Sequence, residues 1–149
     1  MKKVSKKISH SKISEDIKLK FVTKADYHFL YELLEQRNPI VNISHRKMPT
    51  YKEHIKFVLS KPYSKWYIIQ YNNQKIGSIY LTKQNEIDIF LLNEIVGKGV
   101  GSKALELFIM QNPESRYLAN INPKNKESIR FFKKFGFKII QHTYELIKT

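Results

Sequence analysis

The sequence predicts an α/β fold in one domain, and three observations support that prediction. Glu86–Ser102 reads as a buried strand that runs into a glycine-rich turn and then a helix. Tyr117–Phe137 repeats the strand-to-helix order, with Asn125 at the position of a helix N-cap and Gly136 after the last helical turn. The 149 residues, 42% of them hydrophobic, suffice for one core. We therefore expect a single domain over residues 15–149.

The N-terminal part of the chain predicts a tail, a strand and two helices. Residues 1–14 carry five lysines and no acidic residue, which is typical of a basic, flexible tail. A strand is expected at Ile17–Thr23, and the apolar spacing of Tyr27–Leu34 predicts a helix that Pro39 ends. Thr50–Ser60 opens with the capping box Thr-Tyr-Lys-Glu and is predicted to be the second helix.

The rest of the chain predicts three successive strands and then two further strand–helix units. The strands are expected at Trp66–Tyr71, Lys75–Thr82 and Glu86–Leu92, and Asn72-Asn73 is typical of a hairpin turn between the first two. After the glycine-rich turn and its helix, the pattern predicts a strand at Tyr117–Asn122, a helix at Ser128–Phe135 and a last strand pair around Phe137–Leu146. The predicted order is β-α-α-β-β-β-α-β-α-β.

The turn Gly97-Lys98-Gly99-Val100-Gly101 is a candidate phosphate site. Glycines at a strand-to-helix junction let backbone N–H groups approach an anion closely, and the helix start adds free donors and a partial positive charge. The spacing matches neither the P-loop nor the Gly-x-Gly-x-x-Gly of a dinucleotide site. A phosphate-binding turn of another type is therefore expected.

The turn and the second strand–helix unit together resemble the GCN5-related N-acetyltransferase (GNAT) superfamily. Its acetyl-CoA motif, Arg/Gln-x-x-Gly-x-Gly/Ala, falls on Val96–Gly101, with Val96 in place of Arg or Gln. Asn125–Ser128 and Lys134–Phe137 resemble a later motif of the ribosomal-protein N-terminal acetyltransferases in that superfamily. Gln36–Phe57 is similar to acetyltransferases of bacterial amino-sugar pathways.

This resemblance implies a GNAT-like, mainly antiparallel central sheet of six or seven strands, flanked by about four helices. It also implies acetyl-CoA as the cofactor and direct transfer of an acetyl group to a primary amine. The residues implied to bind the cofactor are Phe90, Leu91, Leu92, Val96, Gly97, Lys98, Gly99, Val100, Gly101, Ser102, Asn125 and Ser128.

Three residues are candidates for the catalytic base. Glu86 and Asp88 stand two apart on a predicted strand and so project to the same face, where partial burial would raise a carboxyl pKa. Glu86 is preferred because it matches an acidic position of the family, Asp88 is second, and His45 is third because imidazole titrates near neutral pH. Phe132 stands where many members have a tyrosine acid. The acid therefore stays open between Ser128, Tyr117, Tyr144, water and none.

The resemblance to amino-sugar enzymes implies a small-molecule primary amine as acceptor, first of all a nucleotide-linked amino sugar. A protein N-terminus or lysine is the alternative, because ribosomal-protein acetyltransferases share the Glu86–Leu91 pattern. The residues implied to lie in the acceptor wall are Arg37, Asn38, His45, Met48, Glu53 and Trp66. A homodimer stays open as a further arrangement.

Composition limits the remaining classes of function. The net charge of +14 supports an alternative of another class, a basic nucleic-acid-binding module without catalysis. The basic residues are scattered, however, so nucleic acid is not the expected partner. No cysteine is present to act as nucleophile, and no acidic or histidine cluster has the spacing of a metal site. No apolar run reaches the ~18 residues of a membrane span, so no membrane partner and a cytoplasmic location are expected.

Overall fold

A computed structural model describes residues 16–37 and 47–149 of the chain. Its elements in chain order are β1 (Ile17–Phe21), α1 (Tyr27–Gln36), α2 (Tyr51–Leu59), β2 (Lys65–Tyr71), β3 (Gln74–Leu81), β4 (Ile87–Leu91), α3 (Val100–Gln111) and α4 (Lys126–Phe135). A short 3₁₀ turn, Lys24–Asp26, precedes α1. The predicted tail at 1–14 lies outside the described residues.

The four strands form one antiparallel sheet in the order β1-β2-β3-β4. The hairpin between β2 and β3 turns at Asn72 and Asn73, whose φ values are 52° and 63°. Two successive residues with positive φ are the requirement of a type I′ turn, and asparagine tolerates that conformation. The predicted hairpin is therefore confirmed.

The sheet separates two layers of helices. Helices α1 and α2 cover one face, where Leu30, Val58 and Ile68 are buried together. Helices α3 and α4 cover the other face, around a larger core that includes Ile79 and Phe108, both without exposed surface. Because side chains alternate along a strand, odd-numbered residues of β4 enter the larger core and even-numbered ones face α1 and α2.

Helix ends follow the predicted chemistry. The Thr50 hydroxyl accepts from the Glu53 N–H at 3.2 Å, so the predicted capping box starts α2. The Asn125 side chain accepts from the Ser128 N–H and caps α4, and Gly136 ends that helix with a φ of 113°. The expectation of about four helices is confirmed by the four α-helices of the described residues.

The prediction of six or seven strands is wrong, since the described residues form four. Segment 117–122 makes a single parallel bridge, between Leu118 and Glu86, and then diverges from β4. Residues 137–149 form no strand, and those from Lys138 onward are exposed. Strand propensity is present in both segments, but a strand needs a partner edge along its length, and within residues 16–37 and 47–149 neither segment pairs with one in that way.

Gly77 gives a test of how tightly β3 and β4 pack. A Cβ added at Gly77 would lie 2.3 Å from the Phe90 carbonyl oxygen and 2.7 Å from Leu91 Cδ2. We expect Gly77→Ala to lower the free energy of unfolding by about 1–3 kcal/mol in urea titrations, as overpacking does. Gly101→Ala is the control, because its new Cβ would have no neighbour nearer than 3.4 Å and lies in a helix. Equal stabilities of the two variants would contradict this.

Candidate active site

A wedge-shaped opening lies between β4 and segment 117–122. The Ile87 N–H donates to the Leu118 carbonyl at 2.7 Å, and the Leu118 N–H donates to the Asn85 carbonyl at 2.8 Å. Beyond this point the two segments separate and leave the edge cavity. Its lining residues are Arg37, Asp88, Ile89, Phe90, Asn120, Ile121, Asn125, Ser128 and Phe132.

The backbone of β4 offers hydrogen bonds to this cavity at every second residue. The Leu92 N–H donates to the Ile76 carbonyl of the β3 side, and the ladder pattern directs the backbone of Phe90 the same way. The backbone N–H and C=O of Leu91 point the opposite way, toward the open edge of β4. Of the three residues predicted to pair with the cofactor, Leu91 alone therefore presents its N–H and C=O to the opening.

The glycine-rich turn stands at the start of α3. Gly97 and Gly99 have φ values of 87° and 78°, a conformation that glycine adopts without steric cost. Gly99 is the N-cap and has no side chain to bond the helix start. The first helical bond is that of the Lys103 N–H to the Gly99 carbonyl, so among the described residues the N–H groups of 100–102 have no helical acceptor and can bond an anion. Their availability fits the pyrophosphate of the implied cofactor.

Other residues that the sequence predicts to bind the cofactor lie around the edge cavity and the glycine-rich turn. Asn125 and Ser128 line the edge cavity, although the Asn125 side chain also serves as the cap of α4. The Val96 side chain is exposed at the turn and offers no polar contact there. The Lys98 N–H is bonded weakly to the Ile95 carbonyl, at 3.4 Å.

Asp88 is the acidic group of the edge cavity, and its carboxyl has three partners. The Tyr80 hydroxyl donates to Oδ2 at 3.0 Å, the Ile89 N–H donates to Oδ1 at 3.0 Å, and Arg37 Nη2 lies 3.9 Å from Oδ2. Burial raises the pKa of Asp88 to about 6, against the opposing effects of the Arg37 charge and the hydrogen bonds from Tyr80 and Ile89. Asp88 can therefore gain and lose a proton near neutral pH.

Glu86, the preferred candidate from the sequence, has a different setting. Its Oε1 accepts from the Thr82 hydroxyl at 3.1 Å and its Oε2 accepts from the Asn120 amide. Both bonds tie the start of β4 to its surroundings, and Glu86 does not line the edge cavity. The third candidate, His45, lies outside the described residues.

A second cavity, the aromatic cavity, lies on the face of the sheet that α1 and α2 cover. Its lining residues are Leu30, Leu33, Leu34, Arg37, His54, Phe57, Tyr63, Trp66, Ser78, Tyr80 and Phe90. The rings of Tyr63 and Tyr80 stack 3.7 Å apart, and the Arg37 guanidinium lies 4.1 Å from the centre of the Phe90 ring. Arg37 and Phe90 line both cavities, so Asp88 lies where the two adjoin.

The predicted acceptor residues divide between this cavity and other places. Arg37 and Trp66 line the aromatic cavity. Glu53 caps α2 instead, Met48 is exposed, and Asn38 lies outside the described residues with His45. Sequence reasoning missed Tyr80. Its signal would have been the β3–β4 register, which places Tyr80 directly opposite Asp88.

The candidates for an acid also differ in their settings. Ser128 lines the edge cavity. The Tyr117 hydroxyl donates to the Asn112 carbonyl at 2.6 Å and accepts from the Glu114 N–H, away from that cavity. Tyr144 is 89% exposed, and Phe132 packs against Phe137 in the core. Ser128 is therefore the hydroxyl among the candidates that reaches the opening.

The part of the chain that the structure describes includes no group of three or more aspartate, glutamate or histidine side chains arranged to hold a metal ion. In the same ranges, 16–37 and 47–149, the helices are too short or too polar to cross a bilayer.

The chain matches known proteins over most of its length. The model of the acetyltransferase (GNAT) family matches residues 27–137, which include both cavities and the glycine-rich turn. The peptidyl-lysine N-acetyltransferase YjaB of Escherichia coli (strain K12) is 30% identical over 74 residues, which are 50% of this chain and 49% of YjaB. The chain thus spans about half the length of the curated relatives it matches.

Two solved structures share the fold. A domain from Methanocaldococcus jannaschii DSM 2661 superposes with a TM-score of 0.73 at 24% identity, over 87% of this chain and 92% of that domain. AAC(6′)-Ib in complex with ribostamycin and coenzyme A superposes with a TM-score of 0.65 at 23% identity, over 83% of both chains. A mixed α/β fold of the acetyltransferase type is therefore established for this chain.

Proposed function

This chain belongs to the acetyltransferase (GNAT) family, and we propose that it transfers an acetyl group from acetyl-CoA to a small-molecule primary amine with Asp88 as the base. Membership of this family confirms the family predicted from the sequence. Acetyl-CoA, the acetyl donor of the family, confirms the predicted cofactor. The observation that carries the proposal is the placement of the Asp88 carboxyl where the edge cavity adjoins the aromatic cavity.

The edge cavity and the glycine-rich turn are the proposed donor side. The N–H groups of residues 100–102 would hold the pyrophosphate, and the backbone of Leu91 would pair with an amide of the pantetheine arm. Bound acetyl-CoA supplies an activated acetyl thioester. Val96 cannot add the side-chain contact that Arg or Gln would give, so the backbone donors carry the phosphate affinity.

Asp88 is the proposed base because its carboxyl is mostly ionised at neutral pH and still basic enough to take a proton. The amine nitrogen that attacks the thioester carbon gains a bond and must lose a proton, and Asp88 receives it. Arg37 and Tyr80 hold the carboxyl in place. The Ser128 hydroxyl, which lines the same cavity, is the proposed hydrogen-bond donor to the departing thiolate.

The aromatic cavity is the proposed acceptor side. A wall of Phe57, Trp66 and Tyr80 favours an amine on a small ring or other partly apolar body, because such a body leaves water when it packs against aromatic rings. An amino sugar, first of all a nucleotide-linked one, has such a body and is the proposed acceptor class. A lysine side chain of a protein is the second candidate, favoured by the similarity to YjaB.

Acetylation assays on a panel of amines test the proposal. The panel holds nucleotide-linked amino sugars, free amino sugars, a lysine peptide and a peptide with a free N-terminus, each with acetyl-CoA. Release of the CoA thiol is read with a thiol reagent, which meets no background because the protein has no cysteine. We expect turnover of an amino sugar. Turnover of the lysine peptide alone would support the second candidate, and binding of acetyl-CoA without turnover of any amine would overturn the catalytic proposal.

A further inference from the structure

Two buried polar atoms have no hydrogen-bond partner among the side chains that the structure describes. They are Nε of Arg37 and Nδ1 of His54. Arg37 stands at the end of α1 and His54 lies within α2, yet both side chains line the aromatic cavity. Folded proteins rarely leave a buried polar atom unpaired, because its lost contact with water is then not replaced. Two such atoms at one cavity favour a ligand over core packing as the explanation.

His54 supplies a hydrogen-bond acceptor. Its Nε2 lies 3.2 Å from the Tyr27 carbonyl oxygen, and because a carbonyl can only accept, Nε2 carries the ring hydrogen. Burial lowers the pKa of His54, against the opposing effect of this hydrogen bond, so the ring is neutral at pH 7 and Nδ1 keeps a free lone pair. The Tyr31 ring makes an edge contact with the imidazole, at 5.3 Å between centroids. The bond and the ring contact together hold the imidazole in place.

Arg37 supplies a hydrogen-bond donor. Its guanidinium is always protonated, so Nε carries a hydrogen that needs an acceptor. Nη2 lies 3.9 Å from Asp88 Oδ2, and the guanidinium lies 4.1 Å from the centre of the Phe90 ring. These contacts fix the guanidinium without using the Nε hydrogen. The residues around the aromatic cavity thus include one unused donor, beside the proposed base, and one unused acceptor.

A hydroxyl is the group that can pair with either atom, because it both donates and accepts. A carboxylate could accept from Arg37 but could not donate to His54, and an ammonium group could donate to His54 but could not accept from Arg37. The hydrocarbon stem of a lysine side chain could do neither. The rings of Phe57 and Trp66 suit the faces of a ring-shaped body whose hydroxyls project from its rim.

We propose that the aromatic cavity selects amines that carry hydroxyl groups, with His54 Nδ1 accepting from one hydroxyl and Arg37 Nε donating to the oxygen of another, nearer the amine. The inference rests on the proposed function and deepens it, because it makes His54 a specificity-determining residue and favours polyhydroxylated amines over a lysine side chain. An analogue without the hydroxyls leaves both buried atoms unpaired, and a site built to bond a hydroxyl rejects such an analogue strongly.

Equilibrium binding in the presence of CoA tests this selectivity without turnover. The probes are glucosamine and cyclohexylamine, which share a six-membered ring and one primary amine and differ in their hydroxyls. Neither carries a phosphate that the net charge of +14 could attract elsewhere on the chain. In NMR titrations we expect glucosamine to bind about tenfold more tightly or better. Equal affinities, tighter binding of cyclohexylamine, or no binding of either amine would overturn the proposal. Acetylation is assayed separately, so failure of the proposed function would appear as selective binding without turnover.

Two substitutions separate the two nitrogens of His54. His54→Gln can still donate to the Tyr27 carbonyl but has no atom in place of Nδ1, so it should weaken glucosamine binding about tenfold and change cyclohexylamine binding little. His54→Asn places an amide oxygen near Nδ1 and loses the bond to Tyr27. It should keep the preference for glucosamine in a less stable protein, which urea titration checks. A preference for glucosamine in His54→Gln as strong as in the unaltered chain would overturn the proposal.

Discussion

Asp88→Asn is expected to lower kcat/KM for acetyl transfer by about 10²–10⁴-fold, the usual contribution of a general base. Asparagine keeps the size of the side chain and can still accept from the Tyr80 hydroxyl, but it cannot take up a proton from the amine. Steady-state kinetics with the acceptor identified in the amine panel measure the loss. Acetyl-CoA affinity by calorimetry should change much less, because the phosphate-binding turn is untouched.

Glu86→Gln is the matched comparison, since it removes the carboxylate two residues away from Asp88, just before β4 begins. Its partners, the Thr82 hydroxyl and the Asn120 amide, join Glu86 to structure around the strand start. We expect kcat/KM within a few-fold of the unaltered chain and a lower thermal midpoint. A large loss in Glu86→Gln with an active Asp88→Asn would reverse the assignment of the base and restore the preference drawn from the sequence.

The pH profile gives the same assignment an independent readout. A base acts in its deprotonated form, so kcat/KM should rise with pH through an inflection near the Asp88 pKa of about 6 and then level off. Arg37 lowers that pKa by its charge, and Arg37→Gln should therefore move the inflection to higher pH. An inflection that stays in place in Arg37→Gln would mean that the group titrating in the profile is not Asp88.

The difference between Glu86 and Asp88 shows where sequence reasoning stops. The spacing of two residues predicts a shared strand face, but how deeply each carboxyl is buried depends on what the rest of the fold brings there. Arg37, from the end of α1, and Tyr80, across the β3–β4 ladder, enclose Asp88, while Glu86 stands before the strand begins. Arg37 and Tyr80 lie too far from Asp88 in the sequence for a local pattern to predict either contact.

The dependence on distant parts of the chain also explains why the predicted number of strands is wrong. The hairpin at Asn72-Asn73, the capping box of α2 and the end of α4 at Gly136 are local, and local chemistry predicts them. Strand formation at 117–122 and 137–146 depends instead on a partner edge. The first segment leaves β4 after one bridge, so the missing ladder leaves the edge cavity in which we propose that the donor binds.

Gly101→Glu is expected to raise the dissociation constant of acetyl-CoA by about 10- to 1,000-fold. Gly101 is the second residue of α3, and its N–H is among the free donors proposed to hold the pyrophosphate. A carboxylate there would lie near the phosphates, and two unit charges about 4 Å apart repel by about 4 kcal/mol at the effective dielectric constant of a protein surface. Calorimetric titration with acetyl-CoA at moderate salt measures the change.

Gly101→Gln separates charge from bulk, because it adds a side chain of the same length without the negative charge. The position has an ordinary helical φ, and a Cβ there would lie 3.4 Å from Leu91 Cδ1, so neither variant should unfold the chain, which urea titration checks. A negative charge at a helix N-terminus even stabilises the helix, so lost affinity in Gly101→Glu cannot be ascribed to a weakened α3. If both variants bind acetyl-CoA as the unaltered chain does, the phosphates lie elsewhere and the donor side must be reassigned. If Gly101→Glu weakens acetyl-CoA binding and Gly101→Gln does not, the backbone N–H donors of α3 hold the phosphates. No side-chain contact from position Val96 is then needed.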